Sequence, residues 1–273
     1  MSCAATAARG PDGDAAASDA AGIGASDAAA GSSAASAQAS ASAAESSVAS
    51  APGRTPTPEG APAPDAPADV PAPPIVDRLL PWTAEREALT HTYLRAHRTG
   101  AVPDDPAVAT RMEPRVIVLH WTAGPTAESA WQTFAPARLA GRTDLAEGGA
   151  LNVGAHYLVD RDGTIYRLAP EDRVLRHCIG LNHVAIGVEN VGGGDKWPLT
   201  DAQVEANAAL VRWVASRRPI THLVGHLEYR ELEGHAYFEE RDPDYRTSKP
   251  DPGAPFMAAV RARVADLDLA GAD

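Results

Sequence analysis

Nine histidines stand in this 273-residue chain: His91, His97, His120, His156, His177, His183, His222, His226 and His235. Imidazoles move protons near neutral pH and ligate transition metals, but a lone histidine is ordinarily a satisfied surface or core residue. His91 and His97 take that reading. His120 differs, because it ends the apolar run "RVIVLH" and leads into Trp121-Thr122-Ala123-Gly124. The C-terminal edge of a strand is where α/β sheets present ligands. His226 closes "HLVGH" in the same way, after Gly225. His222 and His226 do not form a helical HExxH pair, since Leu-Val-Gly intervenes and the glutamate is missing. On a strand they would lie about 13 Å apart, so His226 is the candidate ligand and His222 is structural.

A catalytic zinc takes three protein ligands and leaves a fourth position open. His120 and His226 supply two. The third candidate is Asp251 in "SKPDPG", held between Pro250 and Pro252, which fix their own φ and restrict the residue before each. Such a carboxylate loses little entropy on coordination. Lys249, two residues earlier, would bring an ammonium beside the ion, where it can stabilise a developing oxyanion. Taken alone, the same segment also reads as a surface turn, since Asp, Pro and Gly are turn residues.

The elements that must position these groups follow from pattern. Residues 84–97 predict a helix with an apolar face through Leu89, Tyr93 and Leu94. The β-branched run 115–121 predicts a buried strand, and a helix starts near Thr126. Residues 155–169 predict two strands around Asp162-Gly163, a hairpin signal. A further buried strand spans 184–191. Thr200 and Gln203 form a capping box ahead of Val204, Ala208, Val211 and Ala215 at helical spacing. Residues 221–226 predict a strand, and 255–267 an amphipathic helix. Strands alternating with helices around one hairpin imply an α/β fold: a single domain with a central mixed β-sheet flanked by helices.

The ordered set "VLHWTAG", "AHYLVDRDGTIYRLAPEDR", "IGVEN", "VGH" and "KPDPG" resembles the zinc-dependent N-acetylmuramoyl-L-alanine amidase family, the superfamily that includes the peptidoglycan recognition proteins. The likeness covers residues 113–262. It implies a mixed-sheet α/β fold, one Zn2+ ion, and hydrolysis of the amide joining N-acetylmuramic acid to L-alanine in peptidoglycan or muropeptides. By position it places the metal ligands on His120, His226 and Asp251 and the catalytic lysine on Lys249. The acidic residue used as general base in one branch falls on Glu189. Other branches place a tyrosine just ahead of His156, where this chain has Ala155. His177 matches a histidine lining the substrate cleft in many relatives; His156, His183 and Trp121 join it as candidate substrate contacts. Cys178 reads as a buried small residue.

The chain departs from the family between His226 and Lys249, where residues 227–248 form an insertion expected to sit over the cleft. That insertion carries carboxylates of its own, including Asp242 and Asp244, which could complete the metal shell instead; the lysine spacing favours Asp251. The non-catalytic alternative is a peptidoglycan-binding recognition module, as in relatives that have lost a zinc ligand.

Composition divides the chain unevenly. Residues 1–75 are rich in Ala, Ser, Gly and Pro, contain no aromatic, and read as a long disordered N-terminal tail and linker. A helical extension is expected over 76–112 and the zinc amidase domain over 113–268. The net charge is −12, and no basic stripe suits a nucleic acid. No run is apolar enough to span a membrane. Met1-Ser2-Cys3 resembles the acylation site of a bacterial lipoprotein without its hydrophobic signal. On that reading Cys3 is a membrane tether and the protein a monomer of the cell envelope; the alternatives are an incidental Cys3 and a cytoplasmic enzyme.

Overall fold

The computed structural model describes residues 70–140 and 143–272. The tail read as disordered, with Cys3, lies outside the described residues up to position 69. Six strands form one mixed sheet: β1 (Ile75–Asp77), β2 (Val116–Trp121), β3 (Tyr157–Val159), β4 (Ile165–Arg167), β5 (Ala185–Asn190) and β6 (His222–Gly225). Their spatial order is β1-β4-β3-β5-β2-β6. Only β3 and β4 pair antiparallel; the other neighbours run parallel. The expected α/β architecture is thus observed. β1 was not expected: Ile75, the last residue of the stretch read as a disordered tail, and the first two residues of the supposed helical extension extend the sheet at its edge beside β4.

The β3–β4 hairpin closes at the expected Asp162-Gly163. The turn is a three-residue loop, with Gly163 at φ 89° and Asp160 N–H donating to the Thr164 carbonyl at 2.8 Å. Positive φ is where glycine carries no Cβ penalty.

One sheet face is covered by α4 (Asp201–Ala215) and α5 (Ala254–Arg263). Val204, Ala208 and Val211 of α4 and Phe256, Met257 and Val260 of α5 pack on Ile117, Leu119, Ile186 and Val188. The capping box forms as expected, with Thr200 Oγ1 accepting from the Gln203 amide. α5 is shorter than predicted, giving way after Arg263 to a 3-10 turn at Ala265–Leu267. α4 also buries amides: Gln203 Nε2 donates to the Val159 and Val191 carbonyls, and Asn207 Nδ2 to Asn190 Oδ1. These bonds tie the helix to the C-terminal ends of β3 and β5.

The opposite face is covered by α1 (Ala84–His97), α3 (Ala127–Phe134) and long connections. α1 buries a more polar stripe than its sequence suggests: Arg86, Thr90, Tyr93, Leu94 and His97 point inward, while Leu89 is only half-buried. The reason is α3. Arg86 Nη2 donates to the carbonyls of Phe134, Ala135 and Pro136 at 2.7–2.9 Å, and its Nε to Pro81. The carbonyls that α3 cannot satisfy internally receive donors from a guanidinium that is 1% exposed. The extension is therefore part of the packed unit.

Candidate metal centre and cleft

Sheet register builds the floor. β2 and β5 pair so that His120 stands opposite Glu189, and β2 and β6 pair Leu119 with Gly225. His226, the next residue after β6, continues that row. Residues paired across parallel strands share a face, so His226, His120 and Glu189 line up on the face away from α4 and α5. All three lie at the C-terminal ends of adjacent strands. Asn190 helps fix His120 by donating from Nδ2 to its carbonyl at 3.0 Å.

Asp251 enters this row from the proline-rich segment that precedes α5. Its carbonyl accepts from the Leu227 amide at 2.7 Å, which joins the segment to the first turn after β6. Its Oδ2 lies 3.0 Å from His226 Nδ1 and 3.4 Å from His120 Nδ1, and the two imidazole nitrogens are 3.0 Å apart. All three residues are buried. No other group of three or more such donors converges among the described residues. Two nitrogens and one carboxylate oxygen need a shared cation or proton to sit this close. Tetrahedral zinc at about 2.0–2.1 Å from each nitrogen places donors about 3.3 Å apart, so the set fits that ion.

Protonation suits it as well. Burial opposes the charge on Asp251, but the two imidazoles beside it outweigh burial and hold the carboxyl well below the usual range. Burial first, then the neighbouring His120, pulls His226 down to about 4. An ionised carboxylate beside a neutral imidazole is the state that metal ligation requires. Glu189 goes the other way. Burial, then the charge of Asp251, pushes it well above the ordinary value, while Lys249 works in the opposite direction. Its Oε2 is buried without a hydrogen-bond partner.

These groups open into a cleft of about 390 Å³, lined also by Trp121, His177 and the half-buried Lys249. Trp121 lies against Gly193, where a Cβ would fall 2.3 Å from the indole. Gly192, Gly193 and Gly194 all have positive φ, so this loop can both turn sharply and admit the ring. His177 stands beside His120, with ring centroids 5.2 Å apart and an edge-on arrangement.

Two expected substrate contacts are corrected. His156 is completely buried: its Nδ1 accepts from the Gly187 amide and its Nε2 donates to the Arg173 carbonyl. Both ring nitrogens are used on backbone behind His177, so none is left for a ligand; burial pulls this imidazole down to about 4. His183 does not line the cleft, lying 3.7 Å from Glu239 instead. Of the insertion's carboxylates, Asp242 and Asp244 are exposed and Glu239 and Glu240 face α1; Asp251 is the carboxylate at the imidazoles. Cys178 is buried as expected, with its thiol pushed up by burial.

Residues the sequence did not reveal form the outer wall. Tyr93 of α1 and Tyr245 of the insertion both line the cleft. Between them stands His97, with ring centroids 4.4 Å from Tyr93 and 4.7 Å from Tyr245, and Nδ1 3.0 Å from Glu240. Arg98 joins Glu239 at 2.6 Å. Arg176 donates to Tyr245 Oη at 2.9 Å and to three backbone carbonyls. Asn182 shapes the turn carrying His177, its Oδ1 accepting from the His177 and Cys178 amides and its Nδ2 donating to Tyr93 Oη. The only sequence signal for Tyr93 was its place on the inner stripe of α1.

Comparison with known proteins adds three findings. The family model described as N-acetylmuramoyl-L-alanine amidase matches residues 110–254. The endolysin of Escherichia phage T7 is 34% identical over 89 residues, 33% of this chain and 56% of that protein. The chain thus spans about half the length of the curated relatives it matches. Among solved structures, the endolysine N-acetylmuramoyl-L-alanine amidase LysCS from Clostridium intestinale URNW superposes with a TM-score of 0.44 at 21% identity, covering 72% of this chain and 98% of that one. Human PGRP-IBETAC in complex with glycosamyl muramyl pentapeptide gives 0.42 at 18% identity, covering 70% and 96%.

Proposed function

Because the chain belongs to the N-acetylmuramoyl-L-alanine amidase family, we propose that it hydrolyses the amide between N-acetylmuramic acid and L-alanine in peptidoglycan or muropeptides. His120, His226 and Asp251 would hold one zinc ion. The observation that carries this reading is the unpartnered Oε2 of Glu189, buried in the same row as two imidazoles and next to an ionised carboxylate.

When bound, zinc supplies Lewis-acid polarisation of the amide carbonyl and makes a nearby water more acidic. The chain's own residues do the rest. Glu189, as the carboxylate, takes a proton from the attacking water and returns it to the leaving amine; burial and the charge of Asp251 raise its proton affinity and so make it a stronger base. Such transfer is worth about 10²–10⁴ in rate. Lys249 places a positive charge at the cleft for the developing oxyanion, a contribution of about 3 kcal/mol. Trp121 offers an apolar ring face to the substrate, and His177 holds His120.

Purified sacculi and soluble muropeptides incubated with the full chain and zinc test the proposal. Expected products are peptides with a free L-alanine amine and glycan strands whose lactyl carboxyls are free. New amines at another stem residue would make it a peptidase instead. Binding without release would make it a recognition module.

A further inference from the structure

His177 does more than border the cleft. We propose that it is a positioning residue that sets which nitrogen of His120 faces the metal, acting through a hydrogen-bond relay anchored on a main-chain carbonyl. The inference rests on the metal-centre reading above and deepens it.

One group of the relay cannot change role. The Ala185 carbonyl, at the start of β5, can only accept. His177 Nε2 lies 3.1 Å from it and must carry the proton. His177 touches two imidazoles and this carbonyl, and no carboxylate among the described residues lies within its hydrogen-bond reach. An imidazolium buried there would go uncompensated, so the ring is neutral and its Nδ1 is a lone pair. That lone pair lies 3.1 Å from His120 Nε2. His120 Nε2 must therefore be the donor, which leaves His120 Nδ1 free of hydrogen. Nδ1 is the nitrogen that meets His226 and Asp251.

The surrounding structure is shaped for this relay. A Cβ on Gly187 would come within 2.8–3.0 Å of three His177 ring atoms. The glycine in the middle of β5 is thus a notch in the sheet face that admits the imidazole. The His177 amide is held separately by Asn182 Oδ1 at 2.8 Å, so the backbone turn does not depend on the ring. Outer partners of this kind typically change metal affinity by about 10–100-fold.

The test compares zinc dissociation constants of the full-length wild type, His177→Leu and His177→Asn by chelator competition, with thermal melting of the metal-free proteins as a control for folding. In Asn, Oδ1 can take the place of the imidazole Nδ1 and accept from His120. His177→Leu should bind zinc about 10–100-fold more weakly, and His177→Asn should recover most of that loss. Equal affinity of wild type and His177→Leu overturns the relay while leaving the metal centre intact, as does an Asn variant as weak as Leu. A wild type that binds no zinc overturns both. Nitrogen-15 spectra of the wild-type imidazoles keep the idea exposed even if the leucine variant misfolds. The relay expects the neutral His120 ring to carry its proton on Nε2, and a proton on Nδ1 ends it.

Discussion

His120, Glu189 and His226 share one row because three parallel strands run in register, whereas Tyr93 and Tyr245 reach the same cleft from segments that no strand holds. The floor takes its geometry from ladder hydrogen bonds that fix every Cα. The wall takes its geometry from side chains: His97 between two tyrosines, Glu240 on His97, Glu239 on Arg98, and Arg86 across the end of α3. The floor should respond to mutation in chemistry and the wall in substrate fit and stability.

The sharpest way to break that division is Asp251→Ala. It removes one of three convergent donors, so zinc stoichiometry should fall to near zero and turnover by more than about 10⁴-fold. Stoichiometric zinc in that variant, by atomic absorption, removes Asp251 from the ligand set. Glu189→Gln comes next: metal content should stay at wild-type level while kcat falls by about 10²–10⁴. A variant with full turnover would assign the proton transfer elsewhere.

For the wall, Arg86→Met leaves the terminal carbonyls of α3 without their donor. About 3 kcal/mol of stability should be lost, read as a fall in Tm of roughly 6–12 °C with zinc affinity unchanged. His156 sits between the two regions and titrates. Its folded value of about 4 lies below the ordinary 6.5, so the unfolded chain binds the proton first. The stability it contributes is complete above pH 6.5 and is lost progressively as pH falls to 4. That loss amounts to about 3 kcal/mol. Chemical denaturation of His156→Asn across that range should show a shallower pH slope than wild type; equal slopes refute the assignment. The smallest effect is expected from Glu239→Ala, which breaks the pair with Arg98: about 1 kcal/mol and a few-fold rise in KM at constant kcat. A change in kcat with constant KM would mean that wall and floor are not separable.

The same contrast explains what the sequence reveals. β-branched runs, a capping box and a turn dipeptide are local signals, and β2, β5, β6 and α4 follow from them directly. His120 and His226 are legible because each ends such a run; Asp251, whose proline-held segment alone also reads as a turn, is legible through the family resemblance and the spacing of Lys249. β1 is three residues long, too short to show alternation, and it exists because β4 offers it an edge. The inward stripe of α1 is polar, so its period is hidden until the carbonyls of α3 supply partners for Arg86. His156 misleads for the opposite reason. Beside a motif it resembles a ligand contact, yet only the packed backbone shows that both of its nitrogens are already committed.

With Glu189 as the proposed proton acceptor, its pairing with His120 makes strand alignment a condition of activity. Sliding β5 by a single position against β2 would turn the glutamate to the α4 side and set Val188 or Asn190 beside the imidazole. Such a molecule would also turn Ile186 and Val188 away from the core beneath α4, and it would have no proton acceptor at the cleft. Misaligned copies would therefore be silent rather than differently specific, and specific activity per folded molecule would report how faithfully the sheet assembles.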